Sequence, residues 1–143
     1  MLVNADITLY NRRYDATAGK EIWHKTHIRG VSWKGIRQGR SGSGTLEEEA
    51  TFSIRIPVTA NTGEKEYVTP KAWQSGDAVT CWTLQNGDVI FLGIITEPDA
   101  PDETDDMSSL LDIHGETVTI MQVADNQDSR SSSYMKHWRA VGK

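Results

Sequence analysis

The chain has 143 residues, 37% of them hydrophobic and 24% charged, with one cysteine and a formal net charge of −5. That length suits one domain, residues 1–143, with a core that needs neither disulfide nor metal; the lone Cys81 rules out an internal bridge and fits a reducing, intracellular setting. No apolar run approaches the roughly 20 residues that cross a bilayer and no signal-peptide pattern opens the chain, so a soluble protein with no membrane partner is expected; the negative charge argues against general affinity for nucleic acid, which draws on neutralised phosphates.

In chain order, residues 5–11 place Ile7 and Leu9 at period two with Asp6, Thr8 and Tyr10 opposite, which predicts a half-buried strand. A polar turn at 15–19 leads into residues 20–29, where Ile22, His24, Thr26 and Ile28 share one face and Glu21, Trp23, Lys25 and His27 the other. Gly30 breaks this pattern, and Val31-Ser32-Trp33 resumes it briefly. Residues 50–57 alternate again with Phe52, Ile54 and Ile56 inward, and Pro57 ends the strand.

Between these strands, residues 35–49 are far longer than the four to six or so that a connection usually takes, which marks a functional loop. Its glycines, Gly42 and Gly44 among them, give a flexible tip; Arg37 and Arg40 make one flank positive, and Glu47, Glu48 and Glu49 make the other negative. A loop so charged can reach a neighbour of opposite charge, while its plainest reading is a solvated loop.

Thr69 and Pro70 predict the start of a short helical turn through Gln74, with Thr69 as N-cap and Ser75-Gly76-Asp77 as its stop. Residues 78–84 and 88–95 flank Gln85-Asn86-Gly87, where Asn-Gly predicts a tight hairpin at the heart of the core. The second arm is apolar on both faces and should be covered on both. Glu97, Asp99, Asp102, Glu103, Asp105 and Asp106 form an acidic run without a base, whereas residues 11–40 hold eight Lys or Arg against Asp15 and Glu21. Head-to-tail packing of copies is one use for that polarity. Asp106 is positioned to cap a helix over 107–113, and two closing strands follow at 116–123 and 134–141. The fold expected is mainly β: a small antiparallel β-barrel or compact sandwich with one or two short helices and one long loop. Trp82, Phe91 and Trp138 are the expected core aromatics.

No chemistry-bearing constellation stands out. His24 and His27 are three apart on a strand, so their imidazoles diverge, and no Cys pair exists for zinc. Cys81 sits in a strand as a small core residue; His114 reads as a helix-end cap and His137 as a packing residue. No serine lies in a nucleophile elbow, the acidic run is too polar to hold a proton on a general acid, and the 39–44 glycines lack a P-loop lysine. No enzyme, metal or cofactor is expected.

Three segments carry a resemblance: Asn4-Ala5-Asp6-Ile7-Thr8-Leu9-Tyr10-Asn11, Trp82-Thr83-Leu84-Gln85-Asn86-Gly87-Asp88, and His137-Trp138-Arg139-Ala140-Val141-Gly142-Lys143. On these, spread over nearly the whole chain, it resembles the small head-completion ("minor capsid") proteins of long-tailed phages and prophages of Gram-positive bacteria. The resemblance implies a structural protein of the virion neck, assembled from the host cytoplasm: the head-closure or stopper ring of the head-tail connector. It further implies a small β-barrel in a homo-oligomeric ring of about twelve copies, docked below the adaptor protein. Its long loop would face packaged DNA in the channel, and its far side would meet a tail-completion or tail-terminator protein. Two other readings stay open: a tail-completion or tail-terminator ring protein, and a nucleic-acid-binding β-barrel using Trp23, Trp33, Arg29, Lys34, Arg37 and Arg40.

Overall fold

A computed structural model describes residues 3–37, 50–96, 100–113, 116–126 and 136–143. The chain folds as a mainly-β antiparallel barrel with two short helices. Strands β1 (Ala5–Asp15) and β2 (Lys20–Arg37) form the first hairpin, closed by a turn in which the Asp15 carboxylate accepts from the N–H groups of Thr17 and Ala18.

Gly30 does not end β2. Asp6 lies opposite Arg29 and Ala5 opposite Val31, so Gly30 is the extra residue of a bulge; its φ of +88° suits glycine, and its N–H donates to the Asp6 carboxylate at 3.0 Å. The bulge shifts the alternation by one, so that Ile28 and Val31 both reach the core. It also swings β2 from β1 onto β3 (Ala50–Pro57), with which Ser32 to Arg37 pair.

The barrel continues through β6, β8 and β9. Strand β6 (Val89–Leu92) pairs with β1 and with β8 (Thr117–Asn126); β8 pairs with β9 (His137–Gly142), and β9 with β3. Every one of these pairings is antiparallel. Because β2 joins both β1 and β3, the six strands close on themselves and leave little open edge. Two-residue strands β4 (Glu66–Tyr67) and β5 (Cys81–Trp82) form a separate parallel pair, and β7 (Glu103–Thr104) lies on the outer edge of β2.

The 78–95 hairpin does not form. Among residues 85–88 only Gly87 has positive φ, +92°, with Asp88 N–H donating to the Gln85 carbonyl at 3.2 Å. Hairpins of this length favour positive φ at the first central residue; positive φ at the second alone is the type II pattern, which splays its flanks. The arms part, β5 to β4 and β6 into the barrel.

The interior is filled by Ile7, Leu9, Ile28, Ile54, Ile56, Ile90, Val118, Ile120 and Ala140, with Trp82 and Trp138 at an aromatic cluster completed by Tyr67. Phe52, Ile54 and Ile56 face this core as the alternation predicts. Strand β1 is buried on both faces between Ile7 and Asn11, not on one. A second cluster covers its outer side, joining Tyr10, Val89 and Phe91 to Ala100 and to Met107 and Leu110 of helix α2 (Met107–Ile113). Polar groups caught beneath it find partners: Tyr10 Oη donates to the Pro101 carbonyl at 2.8 Å, and Thr8 Oγ1 donates to Gly93 and accepts from the Ile95 N–H. Helix α1 (Pro70–Trp73) starts at Thr69, whose hydroxyl accepts from Ala72 N–H as expected of an N-cap. Its Trp73 is fully buried, with Nε1–H donating to the Arg12 carbonyl at 3.1 Å. No helix among the described residues is long and apolar enough to cross a membrane.

Candidate functional site

Two regions hold residues that the sequence singles out: the β2–β3 hairpin that carries residues 38–49, and the outer edge of β2. In the hairpin, Gly35, Ile36 and Arg37 lie opposite Phe52, Thr51 and Ala50. The strand therefore runs three residues into what the sequence reads as loop, because the Phe52 ring packs over Gly35 and pairs with Trp33 at 5.5 Å between centroids. The remainder of the expected loop, with Arg40, Gly42, Gly44, Glu47, Glu48 and Glu49, lies outside the described residues, as do Glu97, Asp99 and His114. What is placed is the stem: two strands hydrogen-bonded out to the Arg37–Ala50 pair, from which residues 38–49 leave and return.

The outer edge of β2 is built by folding the acidic segment back onto basic residues of the same chain. Lys25 Nζ lies 3.1 Å from the Asp102 carboxylate and donates to the Ala100 carbonyl at 2.8 Å; Glu103 lies 3.6 Å from His24; Lys20 bonds Asp105. Asp106 caps α2, accepting from the N–H of Ser109 at 3.2 Å and its hydroxyl at 2.6 Å. Part of the complementarity expected between copies is thus met inside one chain, although Asp102 stays 82% exposed.

His24 and His27 do not converge. The His24 ring meets Trp73 edge-to-face, and burial lowers its pKa, with Glu103 opposing. His27 Nε2 sits 2.8 Å from the Ile95 carbonyl. No group of His, Cys, Asp or Glu suited to a metal occurs among the described residues. Cys81 is half-buried in β5.

Beside β2 runs a groove of about 550 Å³, walled by His27 and Arg29 on the strand, Thr62 and Lys65 on the turn before β4, and Pro101 and Asp102 across from them. It meets a second recess of about 500 Å³, the two sharing His24, Ala78, Val79 and Glu103. Lys65 Nζ donates to the Lys25 carbonyl at 2.7 Å and to Thr26 Oγ1 at 3.1 Å, and burial lowers its pKa. The aromatics of the nucleic-acid reading are engaged elsewhere: Trp33 on Phe52, and Trp23 half-buried beneath the Arg12 guanidinium at 5.8 Å.

With the fold and both regions described, the sequence profile of one protein family spans residues 2–143. The chain belongs to DUF6751, a family of unknown function. No curated protein and no solved structure matches it. In this family member the sequence pointed to residues 35–49 as a loop and to the acidic run, but not to Lys65 or to the burial of Trp73. The Thr62-Gly63 turn ahead of Lys65 was the available signal for the first. For the second, a tryptophan within the first turn after a Thr-Pro start was the signal, since a helix that short forms only when it packs.

Proposed function

We propose that this chain is a structural subunit of the head-tail connector of a long-tailed phage, and within it the head-closure or stopper ring. One structural feature carries the reading: a closed barrel whose β2–β3 hairpin, paired out to Arg37 and Ala50, is joined through twelve further residues that include three Gly, two Ser, three Glu and Arg40. A rigid barrel presenting one long, charged segment is what a ring needs to line a channel, since the scaffold fixes the base while the segment adapts. The resemblance in the segments at the start, middle and end of the chain supports the same reading. The role is assembly rather than catalysis, with packaged DNA, the adaptor and a tail protein as partners and a homo-oligomeric ring as the working form. A chain that is monomeric in solution fits as well, because docking on a platform offsets the entropy cost of association.

Cryo-electron microscopy of the intact particle tests this. A ring of this barrel between adaptor and tail, residues 38–49 toward the lumen, is the expected result. Density at the top of the tail instead would assign a tail-completion or tail-terminator role, and absence from the particle would overturn the virion reading altogether.

A further inference from the structure

The outer edge of β2 has one unfilled position. Lys25 N–H donates to the Asp102 carbonyl, and Arg29 exchanges both main-chain bonds with Asn61 (2.8 and 3.1 Å). Main-chain groups alternate sides along a strand, so the N–H and C=O of His27, midway between, point to this same edge. No described residue lies opposite them, and the groove of about 550 Å³ opens there.

Three further observations concern the same place. Arg29 is exposed and Lys65 half-buried, and neither has a carboxylate within ion-pair distance among the described residues, whereas Lys25 beside them does. The turn that presents Lys65 holds Glu64 at φ +68°, a conformation that costs a non-glycine residue energy and that persists where the surroundings enforce it. Where the groove meets the second recess stands Val79, at 71% the most exposed of the large hydrophobic residues described.

We infer that this trough docks an extended acidic segment of another protein chain. One residue of the segment pairs with the main chain of His27, its carboxylates lie on Arg29 and Lys65, and an apolar side chain covers Val79. Main-chain bonds at a sheet edge supply affinity regardless of sequence, and Arg29 and Lys65 select for acid, since the groove's own carboxylates, Asp102 and Glu103, are engaged with Lys25 and His24. A full added strand is excluded, because Asp102 and Asn61 already occupy the flanking positions. The inference does not depend on the connector reading: it concerns this surface whatever assembly the chain joins.

The test uses the full chain, ¹⁵N-labelled, titrated with a blocked hexapeptide Thr-Val-Glu-Val-Glu-Thr, followed by amide shifts. Saturable displacement of the His27 amide together with those of residues 62–65 is expected. Arg29→Glu should weaken it about tenfold or more by reversing one charge, and the same peptide with Gln for Glu should bind correspondingly worse. Arg29 is exposed and keeps its main-chain pairing, so the variant should fold; Val79→Asp, equally exposed, provides a second, since repulsion of the carboxylates should also weaken binding. A silent His27 amide, affinity unchanged in both variants, or the same shifts produced by inorganic phosphate at equal concentration would each overturn the inference, the last by reducing the trough to a simple anion site.

Discussion

Gly142 lies so close to Thr119 that a β-carbon on it would sit 2.0 Å from the Thr119 carbonyl oxygen. Lys143 exchanges both main-chain bonds with Thr119 next door, at 2.9 and 3.3 Å, and Gly142 itself pairs with both Phe52 and Ile120. The end of β9 is thus inserted between β3 and β8 at van der Waals limits, and the obstacle to any side chain is backbone, which does not yield by rotating. Gly142→Ala should therefore destabilise by about 3 kcal/mol or more, in the upper range for overpacking. Gly19→Ala, at φ +69° but with nothing within 4 Å of the new carbon, should cost only about 1 kcal/mol. Urea unfolding of the two variants side by side checks this, and equal losses would show that β9 relaxes more easily than its contacts suggest.

Asp88 is fully buried at the foot of β6, accepting from Asn11 Nδ2 at 2.7 Å, Arg12 N–H at 3.0 Å and Gln85 Nε2 at 3.1 Å. Asn11 in turn donates to the Thr83 carbonyl and accepts from its N–H, so the network ties β1 to the segment between β5 and β6. Burial raises the Asp88 pKa from 3.8 to about 6, the hydrogen bonds offsetting only part of the cost of burying charge. The native state therefore holds this proton more tightly than the unfolded chain. The associated stability is fully present below pH 3.8 and is lost as pH rises through about 6, amounting to about 3 kcal/mol. His24 acts in the opposite direction, since burial lowers its pKa and stability is lost as pH falls below 6.5. The quantity to measure is consequently the difference in unfolding free energy between wild type and Asp88→Asn across pH 4 to 7.5, in which His24 cancels. That difference should shift steadily in favour of the variant as pH rises; a flat difference would show that Asp88 is ionised throughout.

Lys25 and Asp102 form an ion pair of unequal members. Asp102 is 82% exposed while the Lys25 side chain is 7% exposed and also donates to the carbonyl of fully buried Ala100. Water screens the pair from the acid side, so Asp102→Asn should change stability by about 0.5 kcal/mol at most. Lys25→Ala removes a packed aliphatic stem and leaves the Ala100 carbonyl without its donor, at about 1–2 kcal/mol. Thermal denaturation at low and high salt separates the two: a loss in Asp102→Asn as large as that in Lys25→Ala, and abolished by salt, would make the pair itself the stabilising element.

What sequence discloses here depends on how local its cause is. Alternation placed Phe52, Ile54 and Ile56 on the core face, and Thr69 with Pro70 marked the first helix, because both patterns are written in neighbouring residues. Gly30 was visible as an interruption but its consequence was not, since the same glycine can end a strand or, with Asp6 across from it, bulge one. Asn86-Gly87 gave a turn of a type decided by where the flanking strands found partners, β5 against β4 and β6 against β1 and β8. The trough beside β2 was illegible for a related reason: it exists only because Asp102 and Asn61, 77 and 32 residues along the chain from Lys25 and Arg29 respectively, settle on the same edge and stop short of His27.

The long hairpin gives the most direct test of the connector reading. Because β2 and β3 are paired out to Arg37 and Ala50 and stiffened by the Trp33–Phe52 contact, replacing residues 38–49 by a four-residue turn leaves the described strand pairing and core residues unchanged in sequence. Shortening a surface connection even reduces the entropy lost on folding, by a few tenths to about 1 kcal/mol. The shortened protein should therefore unfold at the same temperature as the parent or slightly above it. If the segment lines a channel, particles assembled with that variant should contain the barrel ring yet leak packaged DNA, measured as nuclease-accessible DNA per particle. Normal retention with a normally incorporated ring would leave the barrel as a connector component and take the closure role from residues 38–49, whereas failure to incorporate would assign those residues to subunit contacts.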